Sequence, residues 1–167
     1  MANITLKGNP IHTNGNLPAA NSQAPDFVLV DKDLQNRGLK DYAGKRKVLS
    51  IVPSLDTAVC AASARKFNEK MDAMPNTVVL VVSADLPFAQ SRMCGAENLS
   101  SIIPLSTMRS KDFAKDYGVL IQDGPLAGIC ARAVIVLDEN DKVLYTELVP
   151  EITQEPNYEE VLKRLSK

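Results

Sequence analysis

The stretch IVPSLDTAVCAASARKF, residues 51–67, holds a strand end, a polar loop and a helix start in close succession. Ile51 and Val52 close an apolar run that opens at Lys47, and Pro53 stops it, because proline offers no N–H to a strand interior. Asp56 and Thr57 make a loop. A helix begins near Cys60, and over 62–74 it places Ala64, Phe67, Met71 and Met74 on one stripe, with Arg65, Lys66, Glu69 and Lys70 elsewhere. A cysteine in the first turn of a helix faces unpaired N–H groups that can donate to a thiolate. The plainer reading of Cys60 is a small buried hydrophobe, and Thr57 reads first as a helix cap.

The same alternation continues outward. TVVLVVSA at 77–84 and RAVIVLD at 132–138 are nearly continuous apolar runs, the pattern of central strands buried on both faces. Residues 139–141 turn the chain into KVLYTELV at 142–149, which alternates enough for an outer antiparallel strand. FVLVDKD at 27–33 reads as a strand and turn, and ITL at 4–6 with PIH at 10–12 as a β-hairpin. FAQSRMCG at 88–95 predicts a short helix begun by Pro87 and stopped by Gly95. SKDFAKDYG at 110–118 predicts another, ending at Gly118. NYEEVLKRLSK at 157–167 places Tyr158, Val161, Leu162 and Leu165 on one face, with Pro156 as starter. This order predicts an α/β fold, a mixed central β-sheet flanked by helices. It fits a thioredoxin-like fold with an N-terminal β-hairpin extension; periodicity alone also admits a small flavodoxin-like sheet. With no repeat or linker, residues 1–167 read as a single domain.

Composition narrows the function classes. The chain has 167 residues, 45% apolar and 23% charged, with 19 Lys plus Arg against 20 Asp plus Glu. A net charge of −1 with no basic block gives no electrostatic reason to bind nucleic acid or an anionic membrane. No apolar run approaches the ~20 residues of a membrane span, and the N-terminus lacks the pattern of a secretory signal. The expectation is a soluble, cytoplasmic protein.

Cys60, Cys94 and Cys130 are an odd set with no CxxC spacing, which argues against a disulfide framework, a zinc ribbon or a thioredoxin-type dithiol. His12 is the one histidine. It falls in the hairpin, between turn pairs Asn9-Pro10 and Asn14-Gly15, a poor place for a catalytic base. That weakens hydrolase readings, which need an imidazole beside the nucleophile.

The spacing Pro53-x-x-x-Thr57-x-x-Cys60 resembles the peroxiredoxin active-site motif. DLPFAQSRMCGAE at 85–97, DGPLAG at 123–128, ARAVIVLDENDKVLYTELVPEI at 131–152 and EPNYE at 155–159 resemble the bacterial thiol peroxidase branch of that family, the atypical two-cysteine one, in the same order along nearly the whole chain. The resemblance implies a thioredoxin-like fold and reduction of hydrogen peroxide or organic hydroperoxides by a cysteine thiolate, with no metal and no cofactor. It implies Cys60 as the peroxidatic cysteine, Thr57 as its hydroxyl partner, Arg132 as the guanidinium completing the pocket and Pro53 as the shield. It implies Cys94 as the resolving cysteine in a Cys60–Cys94 redox-active disulfide, thioredoxin as reductant, a homodimer, and a role in antioxidant defence. Ala58, Met93 and Cys130 depart from the branch's usual residues without removing a catalytic group.

Chemistry sets what these residues must do. For a thiol lowered from about 8.5 to about 6, the thiolate fraction at pH 7 rises about thirty-fold. Lost nucleophilicity takes back roughly ten-fold, on a Brønsted slope near 0.45. The larger gain must come from fixed donors that hold the peroxide in line and favour its developing charge. Arg132 and N–H groups near Cys60 suit this, though an arginine at a strand end also reads as the partner of a surface carboxylate. Closing the cycle requires motion, because neighbouring helix axes lie about 8–10 Å apart and a disulfide needs Cα atoms within about 7 Å. Gly95 and the short second helix favour movement there. Cys130, two positions before Arg132, falls on the same strand face if the strand includes it, and reads as packing. Leu86, Phe88, Met93, Leu126 and Ile129 are candidates to receive alkyl or lipid hydroperoxides. The competing functions are a peroxide sensor that oxidises a client and a binding module with a silent thiol.

Overall fold

The computed structural model describes residues 1–71 and 74–166. Its strands are β1 (Asn3–Leu6), β2 (Asn9–His12), β3 (Leu29–Val30), β4 (Asn36–Arg37), β5 (Arg46–Ile51), β6 (Thr77–Ser83), β7 (Ile103–Ser106), β8 (Ala133–Leu137) and β9 (Val143–Leu148). Its α-helices are α1 (Ala58–Met71), α2 (Pro87–Ala96), α3 (Asp112–Asp116) and α4 (Tyr158–Leu165). β1 and β2 pair as an antiparallel hairpin, and the other strands form a mixed sheet in the order β4-β3-β7-β6-β5-β8-β9. The pairs β5–β6 and β6–β7 are parallel, while β8 runs antiparallel to both β5 and β9. The antiparallel strands exclude the flavodoxin-like alternative and bear out the thioredoxin-like one.

Side-chain alternation divides the interior into two cores. Leu49, Ile51, Leu80, Val82, Ala133 and Ile135 point to one face of the sheet, packed with α3 and the apolar side of the hairpin. Val48, Val79, Val81, Val134 and Val136 point to the other, packed with α1 and α4. The continuous apolar runs at 47–53, 77–84 and 132–138 are central strands for this reason.

The departures have local causes. β7 is absent from the sequence reading because Pro104 breaks its strand pattern. β3 reaches β7 only at Ser106, so at Pro104 one side of the strand carries no ladder. Of the strand and turn expected over 27–33, the strand is short, Leu29–Val30, and the turn follows at once, Asp31 accepting the Asp33 and Gln35 N–H groups (both 2.9 Å). α2 runs through Gly95 to Ala96, and α1 starts at Ala58. In the helix expected over 62–74, residues 72 and 73 lie outside the described residues. So does Lys167 at the end of the last helix, where Asn157 caps α4 by accepting the Glu160 N–H. Gly118 does end its helix segment: its φ is +70°, and a Cβ there would sit 2.1 Å from the Asn16 carbonyl oxygen.

Candidate active site

After β5 the chain turns over the sheet edge into α1. Pro53 is buried, while Asp56, Thr57 and Ala58 are exposed. Thr57 caps the helix: its carbonyl accepts the Ala61 N–H (2.9 Å), and its Oγ1 accepts the Cys60 N–H (3.4 Å) while donating to the Ser54 carbonyl (3.1 Å). Asp85, just past β6, fastens this loop. Its Oδ1 accepts the Ser54 hydroxyl, and its Oδ2 accepts the Leu55 N–H and the Ser83 hydroxyl, all at 2.7 Å. Asp85 carries no local signal of this role, because the Ser54 and Leu55 groups it fastens lie some thirty positions away.

Cys60 is fully buried, in the first turn of α1. Arg132 meets it from the residue before β8. This guanidinium is 2% exposed and donates from Nη2 to Cys60 Sγ at 3.1 Å and from Nε to the Ile152 carbonyl at 2.8 Å. Its Nη1 has no partner among the described residues. A surface-carboxylate partner for Arg132 is therefore not what the fold builds. A buried guanidinium with one nitrogen, Nη1, unpartnered is costly unless an oxygen arrives to accept from it. An anionic sulfur between a helix N-terminus and a fixed cation is stabilised by both.

The other thiols lack such a partner. Cys94 lies in α2, half-buried against the same apolar cluster as Cys60, and burial pushes its thiol up. Cys130 packs in the opposite core, and burial pushes its thiol up to about 12. β8 begins only at Ala133, so the face shared with Arg132, expected for a strand that includes Cys130, does not exist. All three cysteines are free. Cys130→Thr should leave peroxide turnover within about two-fold of the parent chain in a steady-state assay, since it alters packing in the core opposite Cys60.

His12 pairs with Asp123 at the surface (Nδ1 to Oδ2, 2.6 Å) and has no part in the Cys60 cluster. Beside the loop, a groove of about 810 Å³ runs between α1 and α2, lined by Thr57, Ala58, Arg65, Phe88, Met93 and Glu97 among others. Of the apolar candidates for hydroperoxide binding, Phe88 and Met93 line it and Leu86 is exposed just before α2. Leu126 and Ile129 pack against the opposite core. No group of three or more His, Cys, Asp or Glu among the described residues is arranged to hold a metal ion. No helix among them is long and apolar enough to cross a membrane.

Comparison with known proteins identifies the family. The family model described as Redoxin matches residues 19–162. A thiol peroxidase of Leptospira interrogans is 51% identical over 160 residues, covering 95% of this chain and 94% of that protein. A crystal structure of a peroxiredoxin-like protein from Aquifex aeolicus superposes with a TM-score of 0.93 at 44% identity, over 99% of this chain and 96% of that one. The thiol peroxidase from Chromobacterium violaceum gives a TM-score of 0.92 at 26% identity, over 98% and 95%. A shared fold alone leaves chemistry open, but half of all residues held in common over almost the full length does not: the chain belongs to the Redoxin family, as a peroxiredoxin-type thiol peroxidase.

Proposed function

We propose that residues 1–167 act as one domain that reduces hydrogen peroxide and organic hydroperoxides through Cys60, without metal or cofactor. The observation that supports this most is the 3.1 Å contact from Arg132 Nη2 to Cys60 Sγ, with Nη1 free to meet an incoming oxygen. The Cys60 thiolate attacks one peroxide oxygen in line with the O–O bond. The bond's electron pair leaves with the other oxygen, which takes up a proton and departs as water or an alcohol. Sulfur is oxidised by two electrons and becomes a sulfenic acid. Arg132 and the backbone N–H groups near Cys60 stabilise the charge during transfer, the Thr57 hydroxyl orients the peroxide, and Pro53 keeps water from the sulfur. Cys94 then condenses with the sulfenic acid, expelling water and forming the Cys60–Cys94 disulfide. A thioredoxin dithiol takes up the oxidation and returns both thiols.

The proposal extends to a cytoplasmic homodimer engaged in antioxidant defence and redox homeostasis. The deciding assay is steady-state peroxide consumption with thioredoxin and its reductase. Sustained turnover is expected. Fast oxidation without turnover identifies a sensor, and neither identifies a binding module. The apolar wall of the groove favours alkyl hydroperoxides. Phe88→Ser should raise KM for cumene hydroperoxide by about three- to ten-fold, by loss of apolar contact, and leave the hydrogen peroxide kinetics in place.

A further inference from the structure

Peroxide chemistry leaves the N-terminal hairpin without a role, yet the hairpin braces the segment that aims Arg132. Residues 150–154 follow β9 outside any helix or strand. They run beside β1: the Thr5 N–H donates to the Pro150 carbonyl (2.8 Å), and the Ile152 N–H donates to the Thr5 carbonyl (2.9 Å). Glu151 closes this seam from both sides. Its Oε1 accepts the Gly8 N–H (2.8 Å) at the hairpin tip and the Thr5 hydroxyl (2.9 Å). Its Oε2 accepts the Thr153 N–H (2.9 Å) and the Thr153 hydroxyl (2.8 Å). Bonds from the Thr153 and Gly8 N–H groups draw this carboxyl down to about 2, so it is ionised at neutral pH.

The next residue carries the consequence. The Ile152 carbonyl accepts from Arg132 Nε, and it is the one acceptor besides Cys60 Sγ that the described residues give this guanidinium. A single bond to sulfur leaves a planar guanidinium able to swing. A second bond, from a different nitrogen to a fixed carbonyl, sets its plane. We infer that Glu151 is a positioning residue for peroxide reduction: by clasping the hairpin to residues 150–153 it holds the Ile152 carbonyl where that carbonyl orients Arg132 against Cys60. The inference rests on the roles of Cys60 and Arg132 given above. The hairpin is then part of the catalytic scaffold, although it precedes the segment matched by the family model.

The test compares Glu151→Ala, Glu151→Gln, Arg132→Leu and the Glu151→Ala/Arg132→Leu double variant, each checked for folding by circular dichroism. Two readouts are taken on the full chain: the second-order rate of Cys60 oxidation by hydrogen peroxide, and the pH profile of Cys60 alkylation by iodoacetamide. Glu151→Ala is expected to lower the peroxide rate about ten-fold and to move the alkylation profile to more alkaline pH. Glu151→Gln, with one acceptor oxygen in place of two, is expected to lose about three-fold. In the Arg132→Leu background, Glu151→Ala should change either readout by no more than about two-fold, because the effect passes through the guanidinium. A full-sized Glu151 effect that persists without Arg132 overturns the inference. So does an unchanged rate and profile in folded Glu151→Ala or, if that variant does not fold, in Glu151→Gln. A parent-like rate in Arg132→Leu alone sinks the reading of the site together with the inference. A slow Arg132→Leu beside an unaffected Glu151→Ala sinks only the inference.

Discussion

Arg132→Leu is expected to lower the second-order rate of Cys60 oxidation by about a hundred-fold or more, equal to about 2.7 kcal/mol of lost transition-state stabilisation. The expectation follows from which charge can be met elsewhere. The N–H groups of the first turn of α1 remain after the substitution, so the sulfur keeps part of its support. The leaving oxygen does not: Arg132 is the cation that the fold brings to the sulfur, at 3.1 Å, and its Nη1 is the buried donor left unspent. Leucine fills the space and offers neither. Thiolate formation alone gains only two- or three-fold by the balance of ionisation against nucleophilicity, so most of the loss should persist at alkaline pH. Thr57→Val is expected to cost about as much, since it removes both the cap on the Cys60 N–H and the hydroxyl beside the reaction path. Stopped-flow oxidation by hydrogen peroxide measures both variants. Near-parental rates in either refute this account of the barrier.

How much of this is written in the sequence depends on where the interaction lives. The three central strands are legible because burial on both faces leaves an apolar run that no surface segment shows. The helices are legible from stripes such as Ala64, Phe67 and Met71, all buried in α1. β7 is not legible, because four residues with a proline carry no periodicity, and only β6 and the end of β3 make them a strand. Position at a strand–loop–helix junction singles out Cys60 but leaves a small buried hydrophobe the plainer reading, and the motif resemblance decides for a peroxidatic role. Its partner is less legible. Arg132 alone suits a surface ion pair, and the motif resemblance, not its position, pointed to Cys60. The supports behind these residues are the least legible. Ile152 acts through a backbone carbonyl, to which its side-chain identity contributes nothing. Asp85 and Glu151 are ordinary loop carboxylates until the fold brings donors from distant segments to them. Cys130 turns on a boundary: it would share Arg132's face only if the strand included it, but the strand starts after it and Cys130 packs in the other core.

Cys94→Ser should abolish sustained turnover, leaving no more than a few per cent of the parental rate with thioredoxin, while the first oxidation of Cys60 stays within about two-fold. The two halves of this expectation separate because Cys94 does not touch the Arg132–Cys60 contact. Burial holds the Cys94 sulfur in its thiol form, so it is a poor competitor for peroxide and a suitable donor of the proton that leaves as water. Cys60 and Cys94 border the same apolar cluster, but α1 and α2 rest chiefly on different strands, β6 and β7. A disulfide thus requires one helix to yield. α1 buries Ala64, Phe67 and Met71 beyond Cys60, whereas α2 buries only Pro87 and Gln90, both before Cys94. The last turn of α2 is therefore the cheaper one to open. Its tie to α1, the Arg65–Glu97 pair at 3.0 Å, is exposed on both sides and offers little resistance. Mass spectrometry after one equivalent of peroxide should show a 60–94 bridge in the parent chain. In Cys94→Ser it should show sulfenic acid that proceeds to sulfinic acid with more peroxide. Normal turnover in this variant, or a parent chain oxidised without that bridge, removes Cys94 from the cycle and leaves resolution to an external thiol.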